Sequence, residues 1–250
     1  MTPVRAFGWR EVTLLALAAI PLAVLMLGAE PIPQDPSYHA LADTRTLLGI
    51  PNCADVASNV AFLIVGVLGL HLCLTRGASG ASRSWLVFFI GAAAISAGSA
   101  YYHWAPDDAT LAWDRLPMTI VFMALFAALT SEHVRLHLEH VLLPVALVLG
   151  AASVAWWRYA DDLRFYAWVQ FAPLVMIAFL LLAYRGRYTH REYLAYGLVA
   201  YALAKATELG DAAIFEWTGR MISGHTLKHL LAALALFAVY LMLRKRRRVA

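Results

Sequence analysis

Charged residues are scarce in this sequence. Aspartate, glutamate, lysine and arginine make up 14% of its 250 residues, whereas 62% of the residues are hydrophobic. Soluble domains usually carry about a quarter charged residues, so this composition excludes a soluble enzyme domain and predicts a chain that lies in lipid. The net charge of +4 does not indicate a nucleic-acid partner, because residues 244–248 hold five basic side chains in one run. Such a run after the last apolar segment is typical of a cytoplasmic topology anchor.

Cysteine is equally scarce. The two cysteines are Cys53 and Cys73, which lie near opposite ends of one apolar segment. Twenty helical residues rise roughly 30 Å, which is far beyond the reach of a disulfide. The sequence therefore excludes an intramolecular disulfide, and it contains no CxxC metal motif.

Long apolar runs are abundant. A helix that crosses a bilayer needs about 20 residues, and eight segments of about this length follow one another along the chain. They cover approximately residues 12–28, 55–75, 83–103, 114–131, 141–158, 163–184, 193–210 and 222–243. The longest connection, 29–54, contains four prolines and is predicted to be a loop. The pattern predicts an all-α fold, a polytopic transmembrane helix bundle.

The chain divides into three predicted parts: an N-terminal transmembrane helix (1–34), a seven-helix membrane domain (35–243) and a basic cytoplasmic tail (244–250). The first part also resembles a signal peptide, because Arg5 and Arg10 precede an apolar run that ends in small residues. The run is slightly long for a signal peptide, so a retained helix, or uncleaved signal anchor, is favoured. Cleavage stays open and would leave the other seven helices in the same orientation.

Basic residues predict the topology. With the N-terminus inside, thirteen lysines and arginines fall on the inner side and five on the outer side, which is a clear positive-inside bias. The inner residues are Arg5, Arg10, Arg76, Arg83, Arg135, Arg185, Arg187, Arg191 and the run 244–248. The outer residues are Arg45, Arg115, Arg158, Arg164 and Arg220. We therefore predict that the C-terminus is cytoplasmic.

Five polar residues are predicted to gather at the outer end of the bundle. Ser99 and His103 are one helical turn apart near the outer end of the third segment, so they share a helix face. Asp114 lies at the outer start of the fourth segment. His225 and His229 form an HxxxH pair near the outer start of the eighth segment. Three helices thus place these side chains at one depth and on one side.

The five residue types suit a catalytic zinc site. Catalytic zinc usually takes three protein ligands and keeps a fourth position for water, which matches the count of histidines. Asp114 is then placed to exchange protons, and Ser99 to hydrogen-bond the developing oxyanion. Each residue also has a structural interpretation: an interfacial HxxxH pair, a small packing serine and an aspartate favoured by the helix dipole. The coincidence of all five favours the metal site.

Two other polar groups are given structural interpretations. Lys205, Glu208 and Asp211 recur at helical spacing in the seventh segment. Lys205 and Glu208 are predicted to form an ion pair, because an unpaired charge at that depth is costly; a role in orienting the histidines is the alternative. The polar stretch 132–140, with three histidines, is predicted to be a solvated inner connection.

The spacing of the five residues resembles that of the alkaline ceramidase family, within the CREST superfamily of seven-helix membrane hydrolases. The resemblance covers about residues 35–243 and is carried by Gly98-Ser99-Ala100-Tyr101-Tyr102-His103, by Asp114, and by His225-Thr226-Leu227-Lys228-His229. It implies that His103, His225 and His229 bind zinc, that Asp114 handles protons and that Ser99 stabilises the water or oxyanion. The implied reaction cleaves the amide bond of a ceramide-like membrane lipid into a sphingoid base and a fatty acid.

The resemblance also raises the question of calcium. Animal and yeast ceramidases carry an acidic loop that binds calcium before the first core helix. The corresponding candidates here are Asp35, Asp43, Asn52 and Asp55, which supply fewer oxygens than the six to eight that calcium prefers. The run around Asn52 and Asp55 looks like the bacterial branch, so a bacterial inner membrane is expected. An ester-cleaving zinc lipase and a receptor-like, non-enzymatic protein are alternatives; the oligomeric state stays open.

Overall fold

The computed structural model describes residues 8–77, 79–184 and 187–249. Arg5 and Arg185, two of the residues used to predict the topology, lie outside these ranges. Within them the chain forms α-helices joined by short connections and has no β-strand. The helices are α1 (Trp9–Gly28), α2 (Cys53–Ser58), α3 (Val60–Thr75), α4 (Ser82–Trp104), α5 (Asp108–His133), α6 (Glu139–Ala160), α7 (Arg164–Ala183), α8 (Glu192–Leu209), α9 (Asp211–Trp217) and α10 (Gly224–Lys245).

Seven of the described helical segments are long and apolar enough to cross a membrane, with α2 and α3 counted as one span, Cys53–Thr75. The prediction of an all-α, polytopic membrane bundle is therefore confirmed. Helix α8 matches the predicted segment 193–210 but is not among the seven. Its 18 residues include three charged side chains, Glu192, Lys205 and Glu208, which is more than a short membrane span usually carries.

Two glycines let neighbouring helices approach closely beside the predicted site residues. A Cβ atom at Gly98, next to Ser99, would overlap the carbonyl oxygen of Trp113 on α5. A Cβ atom at Gly224, next to His225, would overlap the carbonyl oxygen of Thr207 on α8. Small residues at membrane helix contacts allow this kind of backbone approach. The two glycines thus bring α4 against α5, and α10 against α8, at the level of the site.

The long connection between α1 and α2 covers the end of the bundle that holds the site. Gln34 accepts a hydrogen bond from Arg115 at 2.7 Å, and His39 contacts Asp108 at 3.2 Å. Further along, the backbone amide of Ala42 donates to Asp211 at 3.0 Å. This proline-rich connection, whose one helical element in the described chain is the 3-10 turn Pro36–His39, is therefore ordered by side chains from several helices. We call residues 29–52 the covering loop.

Helix α1 lies at the edge of the bundle against α7. The guanidinium of Arg164, at the start of α7, donates to the carbonyl oxygens of Leu25, Met26 and Ala29 at the end of α1. These carbonyls have no partner within their own helix. Trp168 donates from its indole nitrogen to Ala18 at 2.7 Å. Retention of this helix stays a prediction. Its cleavage would remove these contacts with α7.

The opposite end of the bundle holds a buried ion pair that the sequence did not predict. Glu132 is 3% exposed and binds the guanidinium of Arg246 at 2.7 Å. Glu132 also accepts from the indole nitrogen of Trp85 at 2.7 Å, and Glu139 accepts from the backbone amide of Ser84 at the same distance. The prediction that 132–140 is solvated is therefore wrong for both glutamates. Arg246 is part of the packed structure although it belongs to the predicted tail.

Candidate metal centre and active site

Three buried histidines from two helices meet at one point. His103 comes from the end of α4, and His225 and His229 come from the first two turns of α10. Their ring centroids lie 4.7 to 4.9 Å apart, and one nitrogen of each ring lies within 4.8 Å of the others. Among the described residues no other group of three or more histidines, cysteines or carboxylates is arranged to hold a metal ion.

The start of α10 is built to place its two histidines. Ser223 precedes the helix, and its side chain accepts a hydrogen bond from the backbone amide of Thr226 at 3.0 Å, as expected of a helix N-cap. Asp211 accepts from the backbone amide of His225 at 2.7 Å. Two of the free amides of this helix end are thereby satisfied, which fixes the direction in which α10 leaves the surface.

His229 has a fixed ring orientation. Its Nδ1 lies 2.7 Å from the hydroxyl of Ser58 on α2, and that hydroxyl donates to the carbonyl oxygen of Asp55 at 2.9 Å. Because the hydroxyl proton is committed to Asp55, Nδ1 of His229 is the donor. Its Nε2 then carries a lone pair, and within the described ranges this buried atom has no hydrogen-bond partner. Nε2 of His229 is thus a buried acceptor without a donor, next to two other imidazoles, as expected of a nitrogen that binds a metal ion.

His103 fits the same role. Both of its ring nitrogens are buried and, in the part of the chain that is described, lack a hydrogen-bond partner. Its backbone carbonyl accepts from the side chain of Asn52 at 2.8 Å. The end of α4 is therefore tied to the residue that precedes α2, while the imidazole is left free. A buried polar ring without partners costs free energy, and a metal ion would remove that cost.

The candidate calcium residues have other partners. Asp55 is fully buried, and its Oδ1 accepts from Thr226 at 2.5 Å and from Ser223 at 3.2 Å. Asp43 is paired with Arg45 at 2.5 Å. Asp35 accepts from the amide of Ser37, and Asn52 donates to His103 as described above. Asn52 and Asp55 thus support the histidines, while Oδ2 of Asp55 is buried and has no hydrogen-bond partner within the described ranges. Calcium binding by these residues stays a prediction.

A buried charge network lies beside the histidines. The predicted ion pair of Lys205 with Glu208 is confirmed, and Lys228 joins it, with its Nζ 2.8 Å from Glu208. The same Nζ lies 3.2 Å from Nε2 of His225. Tyr38 of the covering loop donates to Glu208 at 3.2 Å. Burial raises the pKa of Tyr38 to about 12, so this hydroxyl stays protonated at ordinary pH.

A cavity of about 220 Å³ leads to the site. Ser99, Asp114 and His229 line its polar end, and the hydroxyl of Ser99 approaches the carboxyl group of Asp114. Asp114 lies in the second turn of α5, because that helix begins at Asp108, earlier than the predicted start at 114. Most of the remaining wall is apolar, with side chains such as Phe62, Ile95, Met118, Val121, Phe122 and Leu236.

Fold and site together define an integral membrane protein with a buried place for a metal ion beside an apolar cavity. The sequence model of the ceramidase family matches residues 50–247, which is most of the chain and includes all five predicted site residues. The chain belongs to the ceramidase family, whose reaction is the hydrolysis of an amide bond. A search of curated proteins found no match.

Sequence reasoning missed the contacts of three residues with the histidines: Ser58, Asn52 and Lys228. The contact of Asp211 with the amide of His225 agrees with the alternative that the group of Lys205, Glu208 and Asp211 orients the histidines. Ser58 is 171 positions from His229, and no spacing in the sequence relates the two. Lys228 could have been found, because it lies inside the HxxxH pair and three residues from His225. A charged residue at that depth needs a partner, and Glu208, already predicted to pair with Lys205, could have been assigned to Lys228 as well.

Proposed function

We propose that this protein is a zinc-dependent membrane hydrolase that cleaves the amide bond of a ceramide-like lipid into a sphingoid base and a fatty acid. The observation that carries the proposal is the buried histidine trio at the polar end of an apolar cavity, beside Asp114 and Ser99. Membership of the ceramidase family supports the amide bond as the target.

His103, His225 and His229 would hold the metal. Three neutral imidazoles in a buried site match the ligand set of catalytic zinc, and the hydrogen bond from His229 to Ser58 is the support that zinc-binding histidines usually have. When bound, zinc supplies Lewis acidity toward a carbonyl oxygen and makes water acidic near neutral pH.

Asp114 and Ser99 would handle the proton and the oxyanion. Asp114 accepts a proton from the attacking water as its oxygen bonds to the carbonyl carbon, and returns that proton to the nitrogen as the carbon–nitrogen bond breaks. Ser99, one turn before His103 on the same helix, donates a hydrogen bond to the carbonyl oxygen as negative charge develops. Burial of both side chains strengthens these interactions, because water competes little there.

The cavity suits an acyl chain. Its wall comes from α3, α4, α5, α7, α8 and α10, which are helices of the membrane domain, so a lipid chain can lie between them. Placement of the site at the outer face, and a bacterial inner membrane as its location, stay predictions from the basic residues and the resemblance. Arg115 and Arg164 contact the covering loop and the end of α1, whereas Arg246 contacts Glu132 at the opposite end of the bundle.

The test uses purified protein in detergent. We expect about one zinc per chain and release of fatty acid from ceramide. His225→Ala and His229→Ala should lose both zinc and hydrolysis. Asp114→Asn should keep zinc and lose hydrolysis by roughly 10²-fold or more, since a general base contributes about that much. His137→Ala, which removes an exposed histidine at the opposite end, is the matched control and should change neither quantity.

Three results would contradict the proposal. Unchanged zinc content in both α10 variants would remove the metal assignment. Turnover of ester lipids without turnover of amides would replace the amidase with an ester-cleaving zinc lipase. Zinc held with four protein ligands and no hydrolysis of either class would favour the receptor-like alternative.

A further inference from the structure

Arg115 is a buried cation that lines the same cavity as Asp114. The residue is only 5% exposed. The guanidinium lies 4.0 Å from the ring centroid of Trp157, 4.9 Å from that of Tyr166 and 5.7 Å from that of Tyr38. Contacts of a cation with aromatic faces at these distances are stabilising when water is excluded. The aromatic rings therefore hold the guanidinium in place at the cavity wall.

The hydrogen-bonding capacity of Arg115 is not filled by the protein. Its Nη2 donates to Oε1 of Gln34 at 2.7 Å. Across residues 8–77, 79–184 and 187–249, its Nη1 is buried and has no hydrogen-bond partner. None of the ion pairs in these ranges involves Arg115. Asp114 interacts with Arg115 through charge without forming an ion pair. A buried charge that lacks an ion-pair partner is costly, and in a membrane such a residue usually serves a function.

The charges along the cavity do not balance. Asp114 and Glu208 supply two carboxylates, whereas Arg115, Lys205 and Lys228 supply three cations. Glu208 binds both lysines, so the excess is positive even before a divalent metal ion is counted. A neutral lipid would leave this excess in place. A lipid with a negative charge would offset it, because opposite charges attract strongly where the dielectric constant is low.

We propose that Arg115 binds an anionic group of the lipid, a phosphate or a carboxylate, and that the enzyme therefore prefers acidic lipid amides to neutral ones; this rests on the proposed function. The planar guanidinium suits either anion, since both offer oxygens to its N–H groups. Arg115 directly follows Asp114 on α5 and lines the same cavity, so the anion is bound close to the amide that is cleaved.

The test compares three lipids with the same acyl chain: a neutral N-acyl amino alcohol, its phosphate monoester, and an N-acyl amino acid with a free carboxylate. For each lipid, kcat/KM and binding of the radiolabelled compound are measured on the zinc-loaded full chain in detergent. The variants are Arg115→Gln, Arg115→Lys and, as a matched control, Arg158→Gln, which removes an exposed arginine at the same end of the bundle.

We expect wild type to favour one or both acidic lipids over the neutral lipid. Arg115→Gln should reduce the ratio of acidic to neutral kcat/KM by about tenfold or more, as expected for the loss of a hydrogen bond between charged groups. Arg115→Lys should restore part of the ratio, and Arg158→Gln should leave it unchanged. The acidic lipid whose kcat/KM falls in Arg115→Gln, the phosphate or the carboxylate, identifies the anion that Arg115 binds.

The outcomes separate this inference from the proposed function. Hydrolysis of the neutral lipid with no acidic preference in kcat/KM or in binding would overturn the inference and leave the function intact. Selective binding of acidic lipids that depends on Arg115, without hydrolysis of any amide, would support the anion site and contradict the function. Because wild-type binding alone reveals the preference, the inference can be refuted even if Arg115→Gln does not fold.

Discussion

Replacing Ser58 with alanine should weaken metal binding although Ser58 is not a metal ligand. The Ser58 hydroxyl accepts from Nδ1 of His229 at 2.7 Å and donates to the carbonyl of Asp55 at 2.9 Å. In the variant, Nδ1–H of His229 loses this acceptor, and the backbone carbonyl of Asp55 is the remaining contact. The ring can then rotate toward that carbonyl or move its proton to Nε2, and either change disturbs the lone pair that faces His103 and His225.

The expected loss is about 10- to 100-fold in zinc affinity, the usual effect of removing a group that supports a ligand histidine. This corresponds to roughly 1.4 to 2.7 kcal/mol, because each tenfold change is about 1.4 kcal/mol. The loss should be smaller than that caused by His229→Ala, which removes a ligand. Ser58→Thr keeps a hydroxyl at the same place and should retain most of the affinity.

A competition titration against a chromophoric zinc chelator, on purified protein in detergent, measures this affinity. Ser153→Ala is the matched control, since the Ser153 hydroxyl is also buried in a helix and donates to a backbone carbonyl, that of Gly150 at 2.7 Å, but has no contact with the histidines. Zinc affinity of Ser58→Ala within twofold of wild type would refute the reasoning, because the orientation of His229 would then not depend on its hydrogen bond.

Two further predictions concern stability, and melting temperature in detergent measures both. Glu132→Gln should destabilise the protein by about 3–5 kcal/mol, because it leaves Arg246 as a buried charge without its partner. The control Glu216→Gln, which breaks an exposed ion pair, should have almost no effect. Equal losses of stability in the two variants would contradict the explanation. Hydrogen bonds from a guanidinium hold the pKa of Asp162, between α6 and α7, well below its usual range. A carboxyl group whose pKa is lowered in the folded state stabilises the fold at pH values above its unfolded pKa, which is about 3.9 for aspartate. This stabilisation is lost as the pH falls below that value. Wild type should therefore lose stability below about pH 4 more steeply than Asp162→Asn, and parallel curves would contradict this.

The sequence predicts the helices well because their number depends on length and apolar composition. Each of the eight predicted segments corresponds to a described helix, and the errors are at the ends, as with α5, which begins at Asp108. The two turns before Asp114 contain Asp107 and Thr110, whose reciprocal capping contacts start the helix. Polar residues that lie outside an apolar segment in the sequence are therefore part of the helix and its cap in the structure.

The rotation of each helix about its axis is what the sequence does not predict. Lipid and neighbouring helices are both apolar, so no polar stripe marks the face that turns inward. The five candidate residues were found because polar side chains in a membrane are exceptional. Ser58 and Asn52 lie in a short helix and its start, where a polar side chain is ordinary, and their contacts with His229 and His103 emerge only from packing.

The residues that support the histidines and those that surround Arg115 lie in different parts of the chain relative to the family match. The family match begins at residue 50, so it includes Asn52, Ser58 and the other residues that hold the histidines. Gln34 and Tyr38, which contact Arg115 from the covering loop, lie before the match. The metal site is thus built within the part of the chain that resembles the family, whereas the surroundings of the unpaired cation are built partly outside it. Arg115 itself lies within the match together with Trp157 and Tyr166, so only its contacts with the covering loop are outside it.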